Sequence, residues 1–539
     1  MMINKARLAG FATALVAGVA HADFSFDAPG GQTLSLTGYL REHMAVNLED
    51  HPEASAKGTR LDGKGEISML RSTFRLEAKA DVKWAQFVGV YRFDREEETG
   101  YLSHLNDAVR ANNAANGVVS GPHNNYLDDI EGDQWREWYT SFKVGNRVKA
   151  ILGKQQVVWG ETDFFRAMDI IHGYDLRWRS FLETENEELR KPLIMANVEI
   201  DVPELNGSLQ VVVRPGWDDD QNLGNSLDLR GGRWAAQPTK GLDFIPLLPY
   251  NYDNSKGDTN DINYGFRWSS DLAGWGYTLN YWRGLNTDPI ANSFFVPWGK
   301  LPVANGNALQ LGELIFPKIE TFGITASNYV QAIDSVIRLE AAFTPNKPYN
   351  VGTNFGLPLG GGATLYVPGL GGVKEKDTLV SMIGIDKQIK GLSEVLGTSQ
   401  FPLLSLQVFD TWLTNWKRSD DIVEVLGFGA PRREHTTYIT ALFALEYKHS
   451  TVNPSVAAVL DSGNADVALI PALDLKFGNH WRVHSDMDLF FVHRQKNVKS
   501  FGGTLLNEDF FSASAEDSTH LLGTFANNSQ FNLRLTYQF

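Results

Sequence analysis

Residues able to do chemistry are densest between positions 153 and 190, where Glu161, Asp163, Arg166, Asp169, Asp175, Arg177, Arg179 and Arg190 follow Gln155 and Trp159. Carboxylates and guanidiniums mixed in one loop suit ion pairing and the recognition of polar groups, more than proton transfer. Two compatible readings follow. The loop could form a constriction or plug whose opposed charges set selectivity across a pore. Alternatively its role is structural, with Gln155, Trp159, Asp169 and Arg190 satisfying one another. A second set of charges recurs at alternate positions: Arg75 with Glu77, Arg338 with Glu340, and Arg482 with Asp486 and Asp488. Covalent and metal chemistry find little support. There is no Gly-x-Ser-x-Gly elbow, no His-Glu-x-x-His helix and no phosphate-cradling glycine loop. With no cysteine in the chain, thiol chemistry and cysteine-held metals are excluded. The acidic runs Asp218-Asp219-Asp220 and Asp128-Asp129 with Glu131 and Asp133 lack the ordered spacing of a calcium loop and read as solvated. We expect no enzyme, no cofactor and no metal.

The elements that position these charges read as strands. Phe74, Leu76, Ala78 and Ala80 alternate with Arg75, Glu77, Lys79 and Asp81, and Ile337, Leu339, Ala341 and Phe343 enclose Arg338 and Glu340. Strict alternation sends the two sets to opposite faces of a strand. A lipid-facing Arg or Lys at mid-membrane would cost roughly 2–4 kcal/mol, so the charged sets must face a lumen. Eighteen such strands can be placed, the first at 33–46 and the last at 529–539; sixteen result if one hairpin near 400–460 is misread. Connections after even-numbered strands are short, apart from about a dozen residues near 388–400. Those after odd-numbered strands are mostly long, notably 95–133, 158–190, 215–260, 285–317, 345–376 and 494–528. Short turns at one rim and long loops at the other define an up-and-down transmembrane β-barrel. The predicted fold is therefore all-β and antiparallel, in a single domain over 23–539. Several long loops are too apolar to float free, among them 244–250, 294–298 and 357–360 with 365–368, and are expected to fold into the mouth or lumen or to dip into the outer leaflet. The Gly-rich stretch 360–372 reads as a flexible loop.

Composition agrees. Lys5 and Arg7 precede an apolar run from Leu8 to Val19 and a small-x-small site at Ala20-His21-Ala22, which reads as a signal peptide over 1–22. Cleavage would leave 539 − 22 = 517 residues and move the formal charge from −15 to −17. That balance argues against nucleic acid, because little would neutralise phosphates. Mean hydropathy is −0.24 despite 12% aromatic residues, as expected when only every second strand residue meets lipid. In the last nine residues, Phe531 to Phe539, odd positions are apolar and even ones polar. Ending on Tyr537-Gln538-Phe539, they resemble the signal read by outer-membrane assembly machinery, which with outer-membrane lipid would be a partner. The expected location is the outer membrane of a Gram-negative bacterium.

Residues 152–160, Leu-Gly-Lys-Gln-Gln-Val-Val-Trp-Gly, with Asp169, Asp175 and Arg190-Lys191-Pro192, resemble a large proteobacterial family catalogued as a domain of unknown function, DUF1302. Its pattern is a Gly-x-Gln…Trp-Gly strand end, an Asp-bearing segment and an Arg-x-Pro strand start. Segments 334–340, 383–386 and 405–407 extend the resemblance over most of the chain. One departure is His172-Gly173, where relatives often carry Asn-Pro. The resemblance implies an outer-membrane barrel, often encoded beside permeases of the resistance-nodulation-division superfamily and a second periplasmic protein. It therefore implies traffic in hydrophobic or lipid-like molecules. The expected function is a conduit or partner-coupled transporter of such molecules; a docking barrel for an envelope complex and a general hydrophilic porin are the alternatives.

Overall fold

The computed structural model describes residues 24–28, 31–50, 63–115, 117, 132–162, 164–177, 186–229, 234, 243, 245–299, 301, 303, 310–360, 363–424, 430–492, 521–525 and 528–539. Eighteen strands close one antiparallel barrel. In chain order they are β1 (Gln32–Asn47), β2 (Ile67–Val82), β3 (Ala85–Glu96), β4 (Gly132–Val144), β5 (Val148–Gln155) and β6 (Leu193–Val202). Then come β7 (Gly207–Arg214), β8 (Asn263–Leu272), β9 (Trp275–Leu285), β10 (Lys318–Val330), β11 (Ser335–Asn350) and β12 (Val373–Gln388). The last six are β13 (Leu403–Leu413), β14 (His435–Ala444), β15 (Val452–Asp461), β16 (Asp466–Phe477), β17 (Trp481–Phe491) and β18 (Gln530–Gln538). Each pairs with its sequence neighbours, and β18 returns to β1 from Asn47↔Gln530 to Tyr39↔Gln538. A further strand, Phe24–Ala28, pairs with Gln32–Leu36 and continues the edge that β18 leaves free.

Alternation decides which face each residue takes. In β2, Arg71, Thr73, Arg75 and Glu77 point inward while Phe74 and Leu76 form the outer surface; β11 buries Arg338 and Glu340 inward and exposes Leu339 and Phe343. On the outside, Tyr281 packs against Tyr264 and Phe322 near the long-loop rim, and Trp84, Phe477 and Trp481 stand exposed at the short-turn rim. Aromatic rings at both rims match the girdles of a membrane barrel. The turn between β8 and β9 is only Ala273-Gly274, both at positive φ (52° and 86°), the conformation whose twist suits a two-residue hairpin.

The loops hold more regular structure than their composition suggested. The 95–133 connection carries helix α1 (Gly100–Ala115), which buries Tyr101, Leu102, Leu105 and Val109 along one side. The Gly-rich stretch is not a free loop: Gly356–Gly360 pairs with Ala363–Tyr366, and Val367 and Leu370 join an apolar cluster with Leu247, Leu248 and Leu314. The acidic run also departs from expectation. Asp218 is buried, bonded by Arg214 at 2.6 Å and by the Ile194 N–H at 2.6 Å, so a buried guanidinium replaces solvent. The unusually long short-side connection contains a small helix, Lys390–Leu396. The proposed signal peptide, the 494–520 part of the last long loop, Phe244, Asp128, Asp129 and Glu131 lie outside the described residues.

Candidate functional site

The segment from Gln156 to Pro192 leaves the end of β5 and turns into the barrel instead of away from it. Its start is fixed by backbone geometry. Gly153 sits at φ +132°, where a Cβ would come 2.3 Å from the Trp138 carbonyl oxygen, so only glycine fits this crossing with β4. Gln155 is buried and donates to the Met195 carbonyl (3.1 Å) while accepting from Asn197 (3.3 Å), tying β5 to β6. Trp159 is fully buried, donates Nε1–H to Gln210 on β7 at 2.9 Å, and meets Trp282 of β9 edge-to-face at 6.0 Å. Gly265 of β8 makes room for it: a Cβ there would lie 2.6 Å from the Trp159 ring.

The far side of the turn is held by β11. The Glu340 carboxylate accepts the backbone N–H of Glu161 with one oxygen and that of Met168 with the other, the latter at 3.1 Å. Arg338 donates to the Glu161 carbonyl at 2.6 Å and pairs with Asp386 of β12 at 2.8 Å. Met168 fills the space above Gly323 of β10, and Phe165 stacks on Tyr438 of β14 (4.6 Å) and meets Phe409 of β13 (5.5 Å). At its other end the segment binds the opposite wall. Glu188 accepts from Tyr39 and Arg41 of β1, and Glu187 from Arg75 of β2 at 3.2 Å. Arg92 of β3 donates to the Glu188 carbonyl (3.0 Å), and Arg136 of β4 to those of Glu187 (2.9 Å) and Arg190 (2.7 Å). A segment bonded to inward-facing side chains of β1–β4 and packed against those of β7–β14 must cross the lumen.

Inside the segment, Asp169 pairs with Arg190 at 2.6 Å and accepts the Tyr174 hydroxyl, with Arg166 over the Tyr174 ring at 3.7 Å. Burial would raise the Asp169 carboxyl, but Arg190 and Tyr174 outweigh it and hold its pKa below the usual range. Asp175 is held bidentately by Arg177, both contacts at 2.8 Å. His172, the departure from the family pattern, joins the two arms: its Nε2 accepts the Val157 N–H at 2.9 Å and its Nδ1 lies 2.8 Å from the Lys191 carbonyl. Only the neutral, Nδ1-protonated ring fits both partners. Burial first, then the Arg190 charge, pushes the His172 pKa down to about 4. Gly173 packs so closely on Gly224 that a Cβ would sit 1.9 Å from the Gly224 carbonyl oxygen.

The candidate residues therefore fall into groups. Asp169 and Arg190 bond each other, whereas Gln155 and Trp159 turn to strand partners, so the four do not form one network. Arg338 and Glu340 hold the segment, and Arg75 reaches it through Glu187 while pairing with Glu77 at 3.0 Å. Asp486 and Asp488 sit elsewhere on the wall, bonded by Asn532 and Gln530 (2.6 Å each), with His484 between Asp474 and Asp486. Arg482 bonds carbonyls of the adjoining short turn. Phe539 exchanges backbone hydrogen bonds with Gly38 (2.9 and 3.0 Å), covers that glycine and stacks on Phe74, while Tyr537 packs against Trp481. Asp163 and Arg179 lie outside the described residues. Sequence reasoning missed Glu187, Glu188, Arg136 and Met168, and marked His172 only as a departure from the family pattern; lone inward glycines such as Gly265 and Gly323 were the available sign of a close approach.

The family model described as "Protein of unknown function (DUF1302)" matches residues 3–515. The chain belongs to this family. Among solved structures, the chain aligns with Acinetobacter baumannii OccAB3 at 8% identity and a TM-score of 0.43, covering 94% of this chain and 99% of that one. The outer membrane channel DcaP of A. baumannii aligns at 10% identity and a TM-score of 0.38, covering 95% and 99%. A triple mutant of the Rhodopseudomonas blastica porin aligns at 11% and 0.33, covering 94% and 100%. No curated protein matches the chain.

Proposed function

We propose that the protein is an outer-membrane barrel that conducts amphipathic, lipid-like small molecules while staying closed to water-soluble ones. One observation carries this reading: the lumen is crossed by a segment whose two faces differ. Toward β1–β4 it presents Glu187 and Glu188 to Tyr39, Arg41, Arg75 and Arg92. Toward β14–β17 it presents Phe164 and Phe165 to an apolar wall of Leu442, Ala457, Val459, Ala468, Ile470 and Phe490. An open hydrophilic pore needs a continuous wet path. A molecule with an acyl or aromatic body and a polar end would instead find an apolar wall on one side and fixed charges on the other.

The test is reconstitution in vesicles. Leaflet exchange of a fluorescent lysophospholipid, which crosses a bare bilayer slowly, should accelerate, while swelling in sucrose stays at the bare-vesicle rate. Fast sucrose swelling would make the protein a hydrophilic porin, and acceleration of neither would leave a structural barrel. That second reading, docking to an envelope complex, draws on exposed Val395, Leu396 and Phe401 beside the short-turn helix Lys390–Leu396. Capture of a resistance-nodulation-division permease through that turn would support it.

A further inference from the structure

The β16–β17 ladder differs from its neighbours. Its register runs unshifted from Val467↔Phe491 to Phe477↔Trp481, yet the ladder skips the positions Ile470↔Asp488 and Pro471↔Met487. The interruptions at Ala45/Val46, Val90/Tyr91 and Thr344/Lys347 each come with a shift of register, as bulges do. Here the cause is Pro471 in the middle of a twelve-residue strand, with no N–H to offer. On its other side Pro471 still pairs with Val456, so the break falls on the β17 side alone. In a bilayer no water replaces a missing backbone bond, which makes such a gap costly and conspicuous.

The gap lies where an apolar inner wall meets an acidic one, with buried Asp488 standing across the seam from Ile470. Ile470 is buried inward, in the cluster that also takes Val459, Ala468 and Phe490 and is faced by Phe164 and Phe165 of the crossing segment. On the outer surface the neighbours Val456 and Met487 are exposed to the lipid side. An inner wall that turns from apolar to acidic across the seam, an apolar outer surface and a backbone seam short of one hydrogen bond thus coincide at one depth.

We infer that the β16–β17 seam at Ile470–Pro471 is a lateral portal through which lipid-like molecules pass between the lumen and the bilayer. The inference deepens the transport reading and rests on it for its physiological use. Opening separates β16 from β17 around the bond that Pro471 cannot make and leaves the β15–β16 ladder in place. The polar end of a ligand then stays toward the Asp486 and Asp488 side of β17, while its apolar body crosses past Ile470.

The chain has no cysteines, so introduced thiols report cleanly. Full-length Ile470→Cys in vesicles is exposed to a maleimide-bearing phospholipid, with Thr325→Cys as control; Thr325 is equally inward and buried, but its ladders are continuous on both sides. Labelling of Ile470→Cys should be roughly tenfold faster, the ratio equivalent to one missing backbone hydrogen bond. Adding Pro471→Val should remove most of that advantage. Equal labelling of the two positions overturns the portal. Transport is then read with a disulfide across the seam, Leu469→Cys with Leu489→Cys, against one across a continuous seam, Leu279→Cys with Ile324→Cys. Oxidation of the first alone should abolish lysophospholipid exchange. Undiminished exchange through the oxidised seam overturns the portal and leaves the transport reading standing. Fast Ile470→Cys labelling without any exchange by the wild type does the reverse.

Discussion

The contact best suited to quantitative test is the one Glu340 makes with the crossing segment. Its two carboxylate oxygens take two backbone N–H groups eight residues from end to end, Glu161 and Met168, in a dry part of the lumen. Stripping the acceptor from a buried N–H costs about 1–3 kcal/mol, taken here as about 1.5 for each. Truncation to alanine strips two, but it also removes a buried carboxylate that was costly to desolvate, and it leaves room for water to reach the freed N–H groups. We therefore take the lower half of that range, about 3 kcal/mol for the pair, which is roughly a hundredfold change in the opening equilibrium. Amide hydrogen exchange on the purified protein reads this directly, because the Glu161 and Met168 amides exchange only when the segment lifts from the wall. In Glu340→Ala both should exchange roughly a hundredfold faster than in the wild type, and in Glu340→Gln, which keeps one acceptor oxygen but turns an NH2 donor toward the other N–H, at least one of the two should exchange about tenfold faster. Amides of β15–β17 should not change. If the two amides in Glu340→Ala exchanged within about twofold of the wild-type rate, Glu340 would not be what holds the segment.

Three further outcomes are expected. The neutral His172 ring is required by the segment, and its pKa is about 4 there against an ordinary value of 6.5. Between those values the released segment binds a proton that the docked one does not, so the His172 contribution to docking is full above about pH 6.5 and falls by up to about 3 kcal/mol on acidification to about pH 4. Relative to His172→Gln, proteolysis of the wild-type segment should rise as the pH falls across that window. Gly323→Leu would drive a side chain into Met168, whose sulfur lies 2.0 Å from the Cβ position; at about 1–3 kcal/mol of overpacking, segment cleavage should rise while the heat-modifiable barrel persists. Removing Phe539 deletes two backbone bonds at the β1–β18 seam and the cover over Gly38, and should lower the amount of assembled, heat-modifiable barrel in the membrane.

The barrel was legible because its signal is local and repeated. Alternation in Phe74–Asp81 or Ile337–Phe343 needs no knowledge of partners, and the long-short rhythm of connections supplies the topology. The Asp169–Arg190 pair was half legible, as two opposite charges in one loop. What they face was not, since Glu187 and Glu188 acquire their roles only when the segment swings across to β1–β4. Asp218 misled because its partner Arg214 ends a strand that reads as apolar, and α1 was hidden by a reading that looked only for strands, although Tyr101, Leu102, Leu105 and Val109 carry helical spacing. Gly265 and Gly323 show how a site can be marked by absent side chains: the space they leave is filled by Trp159 and Met168.

The claim that the lumen is crossed by a segment admitting only lipid-like molecules is tested most directly in one vesicle preparation containing both sucrose and a fluorescent lysophospholipid. The account requires accelerated lysophospholipid exchange with sucrose swelling no faster than in protein-free vesicles. Rapid sucrose swelling by the wild-type protein, with lysophospholipid exchange at the bare-bilayer rate, would contradict it.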